Sequence, residues 1–435
     1  MTRWPPDEAR AGGAAAVAGP VGTLARPGGA TTRSAPPARP PRPAGRTASS
    51  GDLGAAAATV LWPLAVLALV QVALRAALGP ANDLEILWRA GRRLLAGGPL
   101  YDPEHAFIYP PVAGWVLAPL GALPFRVAVA VVVVVSTAAL VAAALLLLRL
   151  VGVPARSPVT AGVLLLLAVS RPVDGLLTQG NLDVVLVLGE VVVIACLVTR
   201  RDVAAGLVLG AACAVKPTLA PMVLGTLLLG RTRATVVAVA SAAGLTLLGF
   251  ATVRDAGTFV GDVLPLLADG NRAVLHQYDR SLRGAAEILG VPDGVALAAR
   301  AAVLALAVAV AVVVSRRRRR GPLAALEVMP VLLLGGLLAS SFSWPNYSLY
   351  LLPLLVAVVL PGALARAWPV WAGVFVLWTA DEWPSLQRGE TVDAVVALRP
   401  TWGWLLLLAG CAWAALRTAA GRPRAAGHDR EQHTA

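Results

Sequence analysis

The sequence predicts an all-α, polytopic integral membrane protein, and three observations carry that expectation. Of 435 residues, 57% are hydrophobic and only 14% charged, with a mean hydropathy of +0.73; a soluble domain carries roughly a quarter charged residues. The apolar residues also come in blocks, among them Val127–Leu150, Val295–Ser315 and Leu323–Ala339. Each is close to the ~20 residues that cross ~30 Å of hydrocarbon. Backbone polar groups inside that layer need internal partners, which continuous Leu/Val/Ala runs provide as helices, not as the alternating strands of a barrel. The third observation is the placement of charge. All but one of the 37 basic residues are arginine, and clusters fall in short connections: Arg200–Arg201, Arg231 with Arg233, Arg316–Arg320, and Arg417 with Arg422 and Arg424. That is a positive-inside pattern, so the net charge of +13 does not mark a nucleic-acid surface.

The elements follow in order once the arginine clusters are placed in the cytoplasm. Residues 1–52 are rich in Pro, Ala, Gly and Arg and are expected as a disordered cytoplasmic tail. The first long apolar run begins only near Leu53, which speaks against a cleaved signal peptide. Helix 53–78 then runs outward to an external loop at 79–126. Helices 127–149, 157–173 and 182–199 return, exit and return. Residues 203–229 begin and end at inside clusters, so they form a hairpin of two short helices broken at Lys216-Pro217. Helix 234–253 leads to a second external loop at 254–292, and 294–315 returns to the five-arginine run. Helices 322–340, 347–365, 368–384 and 401–418 complete a transmembrane region of 53–418, followed by a basic cytoplasmic tail at 419–435. The count is about 12 spans with the hairpin taken as two.

Acidic residues were not needed for this threading, yet 16 of the 24 fall in or beside segments placed outside. Asp and Glu contribute little to insertion, so their bias points to polar work on the external face. Within the first external loop, Asp83–Leu95 puts Leu84, Leu87, Trp88, Gly91 and Leu95 on one face, as in a helix lying in the interface. Tyr109–Pro124 is apolar but short and contains four prolines, which suits a second interfacial or re-entrant helix. Cys196, Cys213 and Cys411 stand singly in apolar runs and imply neither disulfide nor metal site. His105 and His276 come with no ligand spacing, so no metal or other cofactor is expected.

One string resembles a known family: Asp83, then Gly97-Gly98-Pro99-Leu100-Tyr101, Phe107-Ile108-Tyr109-Pro110-Pro111, Pro119-Leu120 and Leu123-Pro124. It is similar to the opening of the polyprenyl-phosphate-mannose-dependent mannosyltransferases, glycosyltransferase family 87 of the GT-C superfamily. Later landmarks follow in order, namely Gln179-Gly180-Asn181, Lys216-Pro217 with Pro221, Arg280-Ser281-Leu282-Arg283-Gly284 and Ser343-Trp344. The resemblance covers residues 53–418. It departs after Ser-Trp, where the family has one or two histidines and this chain has Pro345-Asn346-Tyr347.

The resemblance implies sugar transfer from a polyprenyl-phosphate donor to a glycolipid or glycan acceptor at the external face of the plasma membrane, by direct displacement with inversion. It places the catalytic carboxylate just after the first helix, at Asp83. The chemistry suits: a carboxylate within reach of an acceptor hydroxyl can take its proton as the oxygen attacks. The plainer reading is that Asp83 only N-caps its helix. Glu85 stands four residues before Arg89 and is explained by a surface ion pair. Lys216, the only lysine, lies in an apolar hairpin and would stabilise charge on the departing phosphate; alternatively it snorkels to the interface. Arg280 and Arg283 are further phosphate candidates, or ordinary loop arginines. Gln179, Asn181, Ser281 and Asn346 could bond sugar hydroxyls, while Trp344, Tyr109 and Tyr101 could stack on a sugar ring or simply anchor the interface. A transporter or flippase is the competing class, but no repeat with matched broken segments supports it. A non-catalytic scaffold leaves the external acids and the intramembrane lysine unexplained.

Overall fold

The computed structural model describes residues 50–101, 107–268, 279–318, 321–378 and 396–420. The described elements are helical throughout and, from Ser50 onward, belong to one unit. Most of the expected tail at 1–52, most of the tail at 419–435, His105 and His276 lie outside the described residues, while residues 50–52 already belong to the first helix. Helix α1 (Ser50–Leu78) is followed by α2 (Asn82–Leu95) and α3 (Pro111–Gly121), then α4 (Phe125–Leu150), α5 (Pro158–Ala168) and α6 (Arg171–Gln179). Next come α7 (Asp183–Val198), α8 (Asp202–Val215), α9 (Pro221–Leu228) and α10 (Thr232–Thr252). The rest is α11 (Ala256–Ala268), α12 (Leu282–Ile288), α13 (Asp293–Arg317), α14 (Pro322–Ala339), α15 (Pro345–Val359), α16 (Trp368–Trp378) and α17 (Arg399–Ala420).

Among the described residues, α1, α4, α10, α13 and α14 are long and apolar enough to cross a membrane, and α5 with α6 adds a sixth if the bent pair is one span. Several shorter apolar helices, α3, α8, α15 and α16 among them, would be needed to reach the expected twelve. Helix α14 is buried almost throughout and forms the axis of the bundle, whereas α1, α10 and α13 are mostly exposed. The outward residues of α1 include Val60, Leu67, Val70 and Leu74, a surface suited to lipid chains and not to water. On α14 the buried Glu327 is not left bare: Arg318 pairs with it at 2.8 Å, and the Leu364 N–H donates to it at 2.6 Å. Removing either partner would strand a buried charge.

Proline decides where the bundle breaks. Lys216 is extended (φ −149°, ψ 114°), because Pro217 excludes the residue before it from the α region, so α8 stops there as expected. The single helix expected over 157–173 is instead two: α5 ends at Ala168 and α6 starts at Arg171, bent by 57°, with Pro172 in its first turn. A proline there has no N–H to lose and favours a new start. The expected helix 347–365 is also broken, into 3-10 turns around the short α segment Leu352–Val356. Pro345, Pro353 and Pro361 punctuate it.

The described part of 79–126, expected as an external loop, folds as two short helices packed on each other. Leu84, Leu87, Ala90 and Gly91 are buried along α2, while Leu95, expected on that face, is 51% exposed. Helix α3 crosses α2 so closely that a Cβ on Gly121 would lie 2.3 Å from the Arg92 nitrogen. The Trp88 indole N–H donates to the Leu123 carbonyl at 2.9 Å and fixes the far end of that crossing.

Candidate active site

Helix α2 opens at Ala81, which takes a left-handed conformation (φ 51°) and makes no side-chain cap. Its N–H donates to the Thr178 carbonyl of α6, so the start of α2 is tied to the end of α6. Asp83 therefore sits inside the first turn and does not cap it; the N-cap alternative is not what its side chain does. Its Oδ2 accepts a bond from Asn181 Nδ2 at 2.8 Å. Asn181 reaches that place because Gly180 ends α6 in the left-handed region (φ 67°), reversing the chain.

Asn181 is held from its other side by the backbone of Asp183, whose N–H donates to Asn181 Oδ1 at 3.0 Å. The Asp183 carboxylate is fully buried and has two partners: Lys216 Nζ at 2.7 Å and the Tyr350 hydroxyl, which donates to it at 2.6 Å. The Lys216 ammonium lies over the rings of Tyr347 (4.9 Å) and Tyr109 (5.5 Å). A chain of contacts thus runs Asp83, Asn181, Asp183, Lys216 and Tyr350, joining α2, α7, the α8–α9 break and α15.

Beside Asp83 is a small recess, lined by Gly175, Leu176, Gln179 and Asn181 on one wall and by Trp344, Asn346 and Tyr347 on the other. Asn346 packs against α6 only because residue 175 is glycine; a Cβ there would come within 2.6 Å of Asn346 Nδ2. Gln179 Oε1 is buried and accepts no bond from the described residues. A buried carbonyl without a donor is costly, and a hydroxylated ligand would supply one. Burial pushes the Asp83 carboxyl above the usual carboxylate range, opposed by the Asn181 bond and then by the charge of Lys216, while Asp183 adds to the rise. A base so placed is stronger than a free carboxylate.

The connection that contains Asp279, expected as an external loop, meets the recess through that residue. This buried carboxylate accepts from the backbone N–H groups of Ser281 (2.8 Å) and Ser343 (2.9 Å) and from the Ser281 hydroxyl (2.9 Å). The Arg280 N–H donates to the Ser343 carbonyl at 2.8 Å, so Arg280 is fixed beside Trp344. Arg283, in the first turn of α12, reaches the Ala268 carbonyl. Ser281 is fully buried, bonds Asp279 and caps α12 through the Gly284 N–H; its position inside the turn accounts for it without a sugar. Tyr101 is likewise withdrawn: its ring packs among Phe107 and Phe259 and its hydroxyl donates to the Tyr109 carbonyl. Glu85 does pair with Arg89, at 2.5 Å.

Five expected site residues, Asp83, Gln179, Asn181, Trp344 and Asn346, meet at the recess; Lys216 and Tyr109 stand behind Tyr347, one layer deeper. The sequence reading missed Asp183, Asp279, Tyr347 and Tyr350. A signal existed for the tyrosines, since the chain has only five and three of them surround the Lys216–Asp183 pair.

Comparison with known proteins decides the class. Glycosyltransferase family 87 matches residues 107–341. The chain belongs to that family. An α-(1→3)-arabinofuranosyltransferase of Mycobacterium tuberculosis (strain CDC 1551 / Oshkosh) is 30% identical over 363 residues, which is 80% of this chain and 83% of that protein. Proteins of the same name from Mycolicibacterium smegmatis and Corynebacterium glutamicum are 26% and 25% identical, again over 80% of this chain and over 83% and 85% of their own lengths. No solved structure gives a significant match. This family 87 protein is a membrane glycosyltransferase, and the relatives named here are called arabinofuranosyl, not mannosyl, transferases, so the mannosyl expectation finds no support among them.

Proposed function

We propose that the protein transfers an arabinofuranosyl residue from a polyprenyl-phosphate donor to a hydroxyl of a glycan or glycolipid acceptor, at the extracytoplasmic face of the plasma membrane. The observation that carries this reading is the recess itself: a partly buried carboxylate of raised basicity beside three side-chain amides and a tryptophan. Neutral amides and an indole suit a sugar better than an ion. The acceptor oxygen attacks the anomeric carbon as its proton passes to Asp83. The bond from that carbon to the phosphate oxygen breaks, and its electron pair leaves with the polyprenyl phosphate. Direct displacement inverts the centre, so an α product of the kind in the relatives' name requires a β-linked donor.

Gln179, Asn181 and Asn346 read sugar hydroxyls, and Trp344 offers its face to the ring. Arg280, fixed beside Trp344, and Arg283, in the same turn, take the donor phosphate from the loop side. Lys216, paired with Asp183, keeps only a residual positive potential for the departing phosphate. Tyr109 holds that ammonium by its ring, while Ser281 shapes the arginine turn and touches no sugar.

The test uses membranes containing the protein, a synthetic oligosaccharide acceptor, and radiolabelled polyprenyl-phosphate-arabinofuranose or polyprenyl-phosphate-mannose in parallel. A labelled product from the arabinosyl donor alone is expected. Product from the mannosyl donor alone would reassign the sugar. Movement of donor between leaflets without product would favour a flippase.

A further inference from the structure

Asp183 takes no part in the proton transfer or bond exchange above, yet it touches both halves of the site. It is the first residue of α7, where the leading N–H groups of a helix have no partner within the helix. That N–H can only donate, so Asn181 must turn its oxygen toward it, and the Asn181 amino group is then forced to face Asp83. The Asp183 side chain points the other way, into the bundle, where Lys216 and Tyr350 hold it.

We infer that Asp183 is a positioning residue for the base: its backbone orients Asn181 onto Asp83, and its carboxylate, paired with Lys216, fixes the charge that Asp83 experiences. The inference rests on the reading of Asp83 as the base. Neither member of the pair can stand alone, because a buried, unpartnered charge is strongly unfavourable and the Lys216 side chain is only 13% exposed. Together they nearly cancel, so the recess keeps the single negative charge of Asp83. Substituting either one leaves the other as an uncompensated neighbour, and the two changes act on Asp83 with opposite sign.

Other charges near Asp83 do not duplicate this arrangement. On its own helix Glu85 pairs with Arg89, and Arg92 and Arg93 stand in the last turn. Helix α3 carries no charge, α4 carries Arg126 and Arg149 near its two ends, and on α6 Asp174 pairs with Arg75 while Arg171 opens the helix. Among the described residues, Tyr109 and Tyr347 pack against Lys216, Tyr350 bonds Asp183, and Arg280 stands beside Trp344 on the loop side.

The experiment is an infrared pH titration of the full-length protein in lipid nanodiscs, with the Asp83 carboxyl band identified by its loss in Asp83→Asn. Asp183→Asn removes a negative neighbour, so the Asp83 midpoint moves to lower pH. Lys216→Met removes a positive one, so it moves to higher pH, and the double substitution returns it toward the wild-type value. Asn181→Ala, which deletes the bond to the charged form, moves it to higher pH as well. Asp183→Asn is also expected to lower sugar transfer by roughly ten- to hundred-fold. If Asp183→Asn does not fold, Lys216→Met and Asn181→Ala, each expected to move the midpoint to higher pH, carry the test. Midpoints that stay put in the single variants and in Asn181→Ala would reduce Asp183 to packing and overturn the inference. Shifts of the expected sign in a protein that transfers no sugar from any donor would uphold the hold of Asp183 on Asp83 while defeating the proposed activity.

Discussion

Two buried aspartates organise the two sides of the site, and they are satisfied in different ways. Asp279 accepts from two backbone N–H groups and one hydroxyl, all neutral and all from the turns it joins. Asp183 accepts from a cation and a phenol on distant elements. Neutral donors pin a loop and leave the carboxylate's charge in place; a cation cancels it and makes the residue part of the site's electrostatics. Asp279 is accordingly a mechanical anchor for Arg280 and Trp344, and Asp183 an electrical one for Asp83. Burial pushes the Asp279 carboxyl above the usual range, opposed by those backbone and hydroxyl bonds and by Arg280.

Substitutions separate the two kinds of anchor, and the largest effect belongs to the group both serve. Asp83→Asn keeps the size and most of the bonding of the side chain but cannot take a proton; turnover is expected to fall by roughly 10²–10⁴-fold. Donor affinity, measured by retention of labelled lipid, should change little, because the lost interaction belongs to the transition state. Lys216→Met comes next, with donor use lowered by roughly ten- to hundred-fold. Near-normal transfer by that variant would confine Lys216 to satisfying the buried Asp183 carboxylate.

Asp279→Ala should act through the fold. It strands three buried donors, at a cost of about 1–3 kcal/mol for each that finds no new partner, read as a lower unfolding temperature in detergent. The pH dependence of whatever activity remains should match wild type; a shifted profile would mean that the two aspartates do the same work. Gly175→Ala is smaller still. Its Cβ displaces Asn346 from the recess, and the loss of one neutral hydrogen bond to the sugar lowers kcat/KM by roughly ten-fold or less. Glu85→Gln closes the series: the exposed pair with Arg89 contributes under about 0.5 kcal/mol, and transfer should be unaffected.

The sequence made the helical membrane class plain because apolar length and arginine placement are local signals. The hairpin break at Lys216 was equally legible, since Pro217 acts on its immediate neighbour. Pro172 was the same signal in a less obvious place: it marked the start of α6, and the expected continuous helix across 157–173 passed over it. Asp83, Gln179, Asn181, Trp344 and Asn346 were each visible as polar or aromatic residues beside apolar runs, and they do meet. Asp183 was not, because its meaning depends on Lys216, 33 residues away and brought back only by the return of α8. Ser281 shows the converse. A polar residue in a suggestive motif was read as a ligand, when its burial and its bonds within the turn assign it to the α12 cap.

The most direct test of the account is the pH dependence of sugar transfer at saturating donor, measured for wild type and for Asp83→Asn. The base must be ionised to act, and burial raises its proton affinity. Wild-type rates should therefore fall on the acid side along a limb lying above the usual carboxylate range, and that limb should be missing from the low residual rate of Asp83→Asn. The same acid limb in both proteins, or Asp83→Asn rates within a few-fold of wild type, would contradict the assignment of Asp83 as the base.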